Sequence, residues 1–301
     1  MSKRGWLLFA VMGLIWGVPY LFIKVAVGTL TPASLVLART ALAAALLLPI
    51  AAARGELRPV LRHWRPLLAF TAAELAVPWF LLSDVERRLS SSLTGLLIAA
   101  VPLVGAVLGW FTGADRLDRR RLLGLGVGLA GVAALAGLDL GAGNAWALAE
   151  LGVVAVGYAL GPFLLSRGLS DAPRLGVISA ALGLTALAYL PVGLLQFPRH
   201  ALPASVVLAV AVLAVLCTAI AFLLFYALID EIGPVRSTVI TYLNPAVAVA
   251  LGVLFLHEAL TWSIALGFAL ILGGSVLATR RSRGAVPAEP PLGEPLPAVR
   301  T

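Results

Sequence analysis

The sequence predicts an all-α integral membrane protein of ten transmembrane helices, built as two inverted five-helix repeats. Three observations predict it: ten apolar stretches of membrane-spanning length, a one-sided distribution of basic residues, and an internal match at a shift of 143 residues. The 301-residue chain is 61% hydrophobic and 12% charged, with a mean hydropathy of +1.02. A single water-soluble core of this size cannot hide that much apolar surface. Lipid is the solvent this composition requires.

A bilayer core about 30 Å thick takes roughly 20 residues at a rise of about 1.5 Å each. On that scale the segments are Trp6–Val27, Pro32–Ala53, Pro66–Ser83, Ser92–Phe111, Leu122–Leu140, Ala145–Ser166, Leu175–Gln196, Ala204–Ile229, Val235–Leu256 and Trp262–Thr279. Pro, Gly and charge mark the breaks, as at Thr31-Pro32, Arg65-Pro66 and Gly233-Pro234. The basic start Met1-Ser2-Lys3-Arg4 leads into a stretch too long for a signal peptide, with no small-residue cleavage site after it, so the first helix is expected to be retained. Residues 281–301, rich in Pro, Ala and Glu, are expected to form a disordered cytoplasmic tail.

The net charge of +8 does not point to nucleic acid. The charges form short clusters between apolar stretches, without a continuous basic face or interleaved aromatics. Assigned by loop parity, 17 Lys and Arg fall on one side and three (Arg87, Arg88 and Arg199) on the other. The positive-inside rule then puts both termini in the cytoplasm, as an even number of helices requires. Six of the seven tryptophans (Trp6, Trp64, Trp79, Trp110, Trp146, Trp262) lie near predicted helix ends, as an interfacial belt would place them; Trp16 sits near the middle of a helix. The lone Cys217 rules out an internal disulfide and a cysteine metal site.

At the 143-residue shift, Pro19 meets Pro162, Thr94 meets Ser237, Pro102 meets Pro245 and Gly109 meets Gly252. Asp115 meets Glu258, Gly124 meets Gly267 and Gly131 meets Gly274. An odd number of helices per repeat forces the second repeat, residues 145–280, to enter the membrane upside down relative to the first, residues 6–140. Inverted repeats are a transporter design that places substrate near the midplane, between the repeats.

The chain resembles the EamA-type, ten-helix members of the drug/metabolite transporter superfamily. The resemblance rests on Trp16-Gly17 and Lys24 in helix 1, Pro32 and Arg39 in helix 2, and the paired patterns Pro102–Asp115–Gly124–Gly131 and Pro245–Glu258–Gly267–Gly274. Asp115 stands where the family pattern usually has Glu. The resemblance implies a central cavity lined by helices 1–4 and 6–9, with helices 5 and 10 outside. Gly124 and Gly128, with Gly131 beyond, and Gly267, Gly273 and Gly274 suit close packing of those two outer helices.

Charged residues inside a membrane are costly, on the order of 2.5–3.5 kcal/mol at the centre, and therefore informative. Glu74 lies near the middle of helix 3, four residues before Pro78, which cannot bond the Glu74 carbonyl. It reads either as a proton-coupling or substrate-binding acid or as the structural partner of Arg39, which lies about 10 Å in from the outer face of helix 2. Glu150 is a candidate partner for Lys24 or Arg39, and Lys24 is expected to snorkel to the outer interface. Asn244, Tyr242 and Thr241, beside Pro245, either bind substrate or satisfy the carbonyl that the proline frees. Trp16 either stacks on substrate or fills the core. Asp115, His257 and Glu258, at helix ends, read as solvated or capping groups.

The expected function is secondary transport, by alternating access, of small polar metabolites such as amino acids, with export and proton coupling as the favoured mode. The alternative is a non-transporting scaffold or lipid-handling protein. The three histidines all sit at segment ends, and no HExxH, GxSxG or phosphate-binding GxxxxGK[ST] occurs, so neither an enzyme nor a nucleotide-driven pump is expected. No cofactor or metal is expected. The partners are the lipid bilayer and a small-molecule substrate, with room for a homodimer through helix 5 or 10.

Overall fold

Runs of apolar residues bounded by caps and breakers fold as helices throughout the computed structural model, which describes residues 2–112, 118–139, 145–232 and 238–279. The long helices are α1 (Lys3–Ala26), α2 (Pro32–Ala53), α3 (Trp64–Arg88), α4 (Ser91–Phe111), α5 (Arg119–Asp139), α6 (Ala145–Gly168), α7 (Arg174–Leu195) and α8 (Ala204–Ile232). A single-turn lead-in, Thr238–Tyr242, precedes α9 (Asn244–Leu256), and α10 is Trp262–Thr279. No strand occurs among the described residues. Among the described residues, seven helices, α1–α4 and α6–α8, are long and apolar enough to cross a membrane. The chain is therefore an all-α, multi-pass membrane protein. Asp115 and the tail 281–301 lie outside the described residues.

Local chemistry sets the ends. Thr31 accepts a hydrogen bond from the Ser34 amide at 3.2 Å with Pro32 in the first turn, and Ser90 caps α4 by accepting from Leu93 N–H at 3.2 Å. Just past α2, Gly55 takes φ +70°, a left-handed conformation that ends a helix and suits glycine. His257, just past α9, takes φ 55° without being glycine. That costs on the order of 1–2 kcal/mol and turns Glu258 toward the start of α4.

Four of the helices are interrupted. α1 breaks at Val18, between Gly17 and Pro19, and α4 breaks at Ala99–Ala100 ahead of Pro102. In α3 the turns widen to π geometry over Thr71–Ala76, and in α8 over Val212–Ile220. The cause in α3 is legible: Pro78 has no N–H for the Glu74 carbonyl, and the Val77 N–H reaches back five residues to Ala72. The Tyr189 hydroxyl of α7 donates to the Ala76 carbonyl at 2.9 Å.

Packing is pairwise. α2 lies along α7, α4 along α9 and α5 along α10, while α3 packs on α6 and α1 on α8. Lipid supplies no hydrophobic drive between helices, so close approach through small residues carries much of the association. Between α5 and α10 a Cβ at Gly274 would fall under 3 Å from backbone atoms of both Gly124 and Gly128, and one at Gly131 would crowd Leu270 and Ile271. Gly273 faces open space and takes no part. Gly274→Leu is accordingly expected to part α5 from α10 and cost about 1–3 kcal/mol, the usual range for overpacking, read as a lowered melting temperature in detergent. Gly273→Leu is expected to melt as wild type. A depression of about 620 Å³ is lined by α5 residues alone, among them Arg119, Leu122 and Val127, and is not the central cavity expected between the repeats.

Candidate substrate and coupling site

The widened turns of α3 and α8 carry Glu74 and Thr218, two of the polar groups inside the bundle. Residues 71–76, moved by the 143-residue shift, become 214–219, inside the widened segment of α8. π turns are rare, and they concentrate at functional sites. In α8 the widening lets the Thr218 hydroxyl donate to the Leu213 carbonyl, five residues back, at 2.7 Å. That leaves its oxygen to accept from Arg39 Nε of α2, at 3.0 Å.

Arg39 is 7% exposed, and its guanidinium carbon lies 3.7 Å from the centroid of the Trp79 ring. A desolvated guanidinium over a tryptophan face is held by about 2 kcal/mol. Trp79 is thus a buried platform for Arg39 rather than a member of an interfacial belt.

Glu74 projects from the widened turn of α3 against Gly161 of α6, where a Cβ would overlap its carboxylate. Its Oε2 is shielded from solvent and has no hydrogen-bond partner. Among the described residues no ion pair joins Glu74 to Arg39. The structural pairing weighed from the sequence is replaced by the Thr218 and Trp79 contacts of Arg39. Tyr158, one turn before Gly161, lies within electrostatic reach of both Glu74 and Arg39. A part-buried acid with one shielded oxygen and a buried guanidinium thus flank a tyrosine without pairing with each other.

The other sequence candidates separate. Trp16 of α1 meets the edge of Phe222 at 5.9 Å and Phe225 at 4.6 Å between ring centroids, one turn beyond Thr218 on α8. Asn244, with its amide nitrogen facing them, donates to the Ile240 and Gly13 carbonyls at 3.0 and 3.2 Å, and so ties α9 to α1. The Tyr242 hydroxyl reaches the Ser275 carbonyl of α10 at 3.4 Å. Thr241 is exposed on the lead-in turn. The structure therefore brings Glu74 and Arg39 to either side of Tyr158, sets Trp16 against α8, and leaves Asn244, Tyr242 and Thr241 at α9 and its lead-in turn.

Two pairings differ from expectation. Glu150 pairs with Arg88, which also binds Asp84 at 2.5 Å, and not with Lys24 or Arg39. Lys24 does not snorkel; its ammonium donates to the Glu86 and Leu89 carbonyls at the end of α3, at 2.6 and 2.7 Å. Thr218, Tyr158, Gly161 and Glu86 were missed from the sequence. Thr218 and Tyr158 are isolated polar groups inside apolar runs, a signal that could have found them.

Two stretches of the chain, residues 3–137 and 145–280, match the EamA-like transporter family. The chain belongs to that family. The first EamA-like match runs from α1 into α5 and the second spans α6 to α10. Among relatives, the chain is 23% identical over 289 residues to the uncharacterized transporter YvbV of Bacillus subtilis (strain 168), covering 94% of this chain and 93% of that protein. It is 28% identical over 273 residues to the uncharacterized inner membrane transporter YedA of Escherichia coli (strain K12), covering 88% and 87%. A solved crystal structure superposes with a TM-score of 0.67 at 24% identity, over 93% of this chain and 98% of that one, and shares the fold. This EamA-like protein is thus a membrane transporter.

Proposed function

We propose that the protein is a secondary transporter that exports small polar metabolites such as amino acids by alternating access of two inverted five-helix repeats, with protons coupled at Glu74. In this reading ten helices cross the inner or plasma membrane and both termini are cytoplasmic. The pairing of α2 with α7, α4 with α9 and α5 with α10, each helix against the one five places on, supports a twofold relation of the halves. The matched widened turns of α3 and α8 support it again.

The observation that carries the functional reading is the Glu74 carboxyl, with a buried oxygen that has no partner, on the same wall as a buried Arg39 with which it forms no ion pair. A carboxyl oxygen kept from water and from donors favours a bound proton or a substrate cation. Arg39 offers the complementary anchor for a carboxylate. The test is uptake of a labelled amino-acid panel into proteoliposomes, with and without an imposed pH gradient. Gradient-dependent flux of at least one solute is the expected result. Absence of flux for every solute under every gradient would contradict the reading and return the scaffold or lipid-handling alternative.

A further inference from the structure

A second buried acid lies on α3, three turns beyond Glu74, and the transport reading does not use it. Glu86 has no exposed surface, and neither of its carboxyl oxygens has a hydrogen-bond partner. The carboxyl lies within electrostatic reach of Lys24, of Tyr20 and of the Glu258 carboxylate. The Lys24 ammonium is committed elsewhere, to the backbone carbonyls of Glu86 and Leu89. Glu258 is fully engaged: it accepts from the amides of Ser91 and Ser92 at 2.7 and 2.9 Å and from the Ser92 hydroxyl at 2.5 Å. A carboxylate at a helix N-terminus is favourable both as cap and against the helix dipole. That contact ties the far end of α9 to the start of α4, across the two halves of the chain.

We propose that Glu86 is a proton-binding site at this end of the bundle, and that its occupancy decides whether Glu258 stays on α4. With the proton bound, Glu86 adds no charge near Glu258, and the α4–α9 contact holds. When the proton leaves to water, a second negative charge appears within reach of Glu258. It also offers Lys24 a stronger partner than two carbonyls. Both changes loosen the end of α3 and the cap on α4.

A metal cation is the poorer occupant, because an ammonium already sits on the nearby carbonyls. The surrounding charged and titratable groups are accounted for. α1 presents Tyr20 and Lys24, and α6 presents Glu150, held by Arg88, with Tyr158 deeper. α4 presents only the Ser91 and Ser92 hydroxyls, α2 carries Arg39 deep in the interior, and the turn after α9 brings Glu258. The site is independent of Glu74.

The test uses the full chain in liposomes. An infrared carbonyl band of a protonated carboxyl at neutral pH is expected in wild type and in Glu74→Gln, and its loss in Glu86→Gln. Spin labels at Arg87→Cys and Leu260→Cys, in a Cys217→Ala background, are expected to move apart as pH is raised, and to stay together in Glu86→Gln at every pH. A band unchanged by Glu86→Gln, an opening that follows pH equally in Glu86→Gln, or an opening that follows sodium at constant pH overturns the proposal. Should Glu86→Gln not fold, Glu86→Asp decides. A shifted band and shifted pH midpoint support the site, and an unchanged band and midpoint overturn it.

Discussion

Glu74→Gln is expected to abolish accumulation driven by a pH gradient while solute exchange without a gradient continues. Glutamine has the shape of the protonated acid, so the packing against Gly161 is preserved and the melting temperature should change little. What is lost is the ability to take up and release a proton. With one proton exchanged per solute, a gradient of one pH unit supports roughly tenfold accumulation, because a tenfold ratio corresponds to about 1.4 kcal/mol. The variant should lose that factor entirely. Gly161→Val is expected to damage both modes, since its side chain would occupy the carboxylate's place.

Arg39→Ala is the second large effect. The substitution removes a charge-assisted hydrogen bond to Thr218 and the stack on Trp79, worth about 1.5–3 kcal/mol and about 2 kcal/mol respectively. If Arg39 also anchors a substrate carboxylate, uptake at subsaturating solute should fall by on the order of a hundredfold or more, through a raised KM. Arg39→Lys is not expected to rescue it. Lysine keeps the charge but lacks the planar fork that stacks and bonds at once. Initial rates across solute concentration, set beside thermal melts, separate this from simple loss of fold.

Much of the architecture could be read from the residues, and the failures have physical causes. The sequence places α2 at Pro32–Ala53, its observed bounds, with Thr31-Pro32 marking the break before it. α3 was ended at Ser83 and runs to Arg88, because Asp84, Glu86, Arg87 and Arg88 look like a solvated loop. Spacing could have corrected this, since Leu82, Val85, Glu86 and Leu89 share one buried helical face. The widened turn of α3 had Pro78 as its sign. That of α8 has no proline and left no local mark.

Glu74 and Arg39 stood out as intramembrane charges. Their partners did not, because which neighbour a side chain meets depends on helix crossing angles that no single helix encodes. The same limit explains Lys24, read as a snorkelling residue and found bound to the end of α3. It also explains Tyr242 and Asn244, whose place beside Pro245 suggested substrate binding but whose groups reach α10 and α1.

The central claim is that solute movement is tied to a proton at Glu74. Its most direct test is proton flux, followed by a pH-sensitive dye trapped in proteoliposomes, when a transported solute is added without any other gradient. Wild type is predicted to move protons opposite to the solute, and Glu74→Gln to move solute without protons. Solute flux in wild type with no accompanying proton movement, or equal proton movement in Glu74→Gln, would contradict the claim.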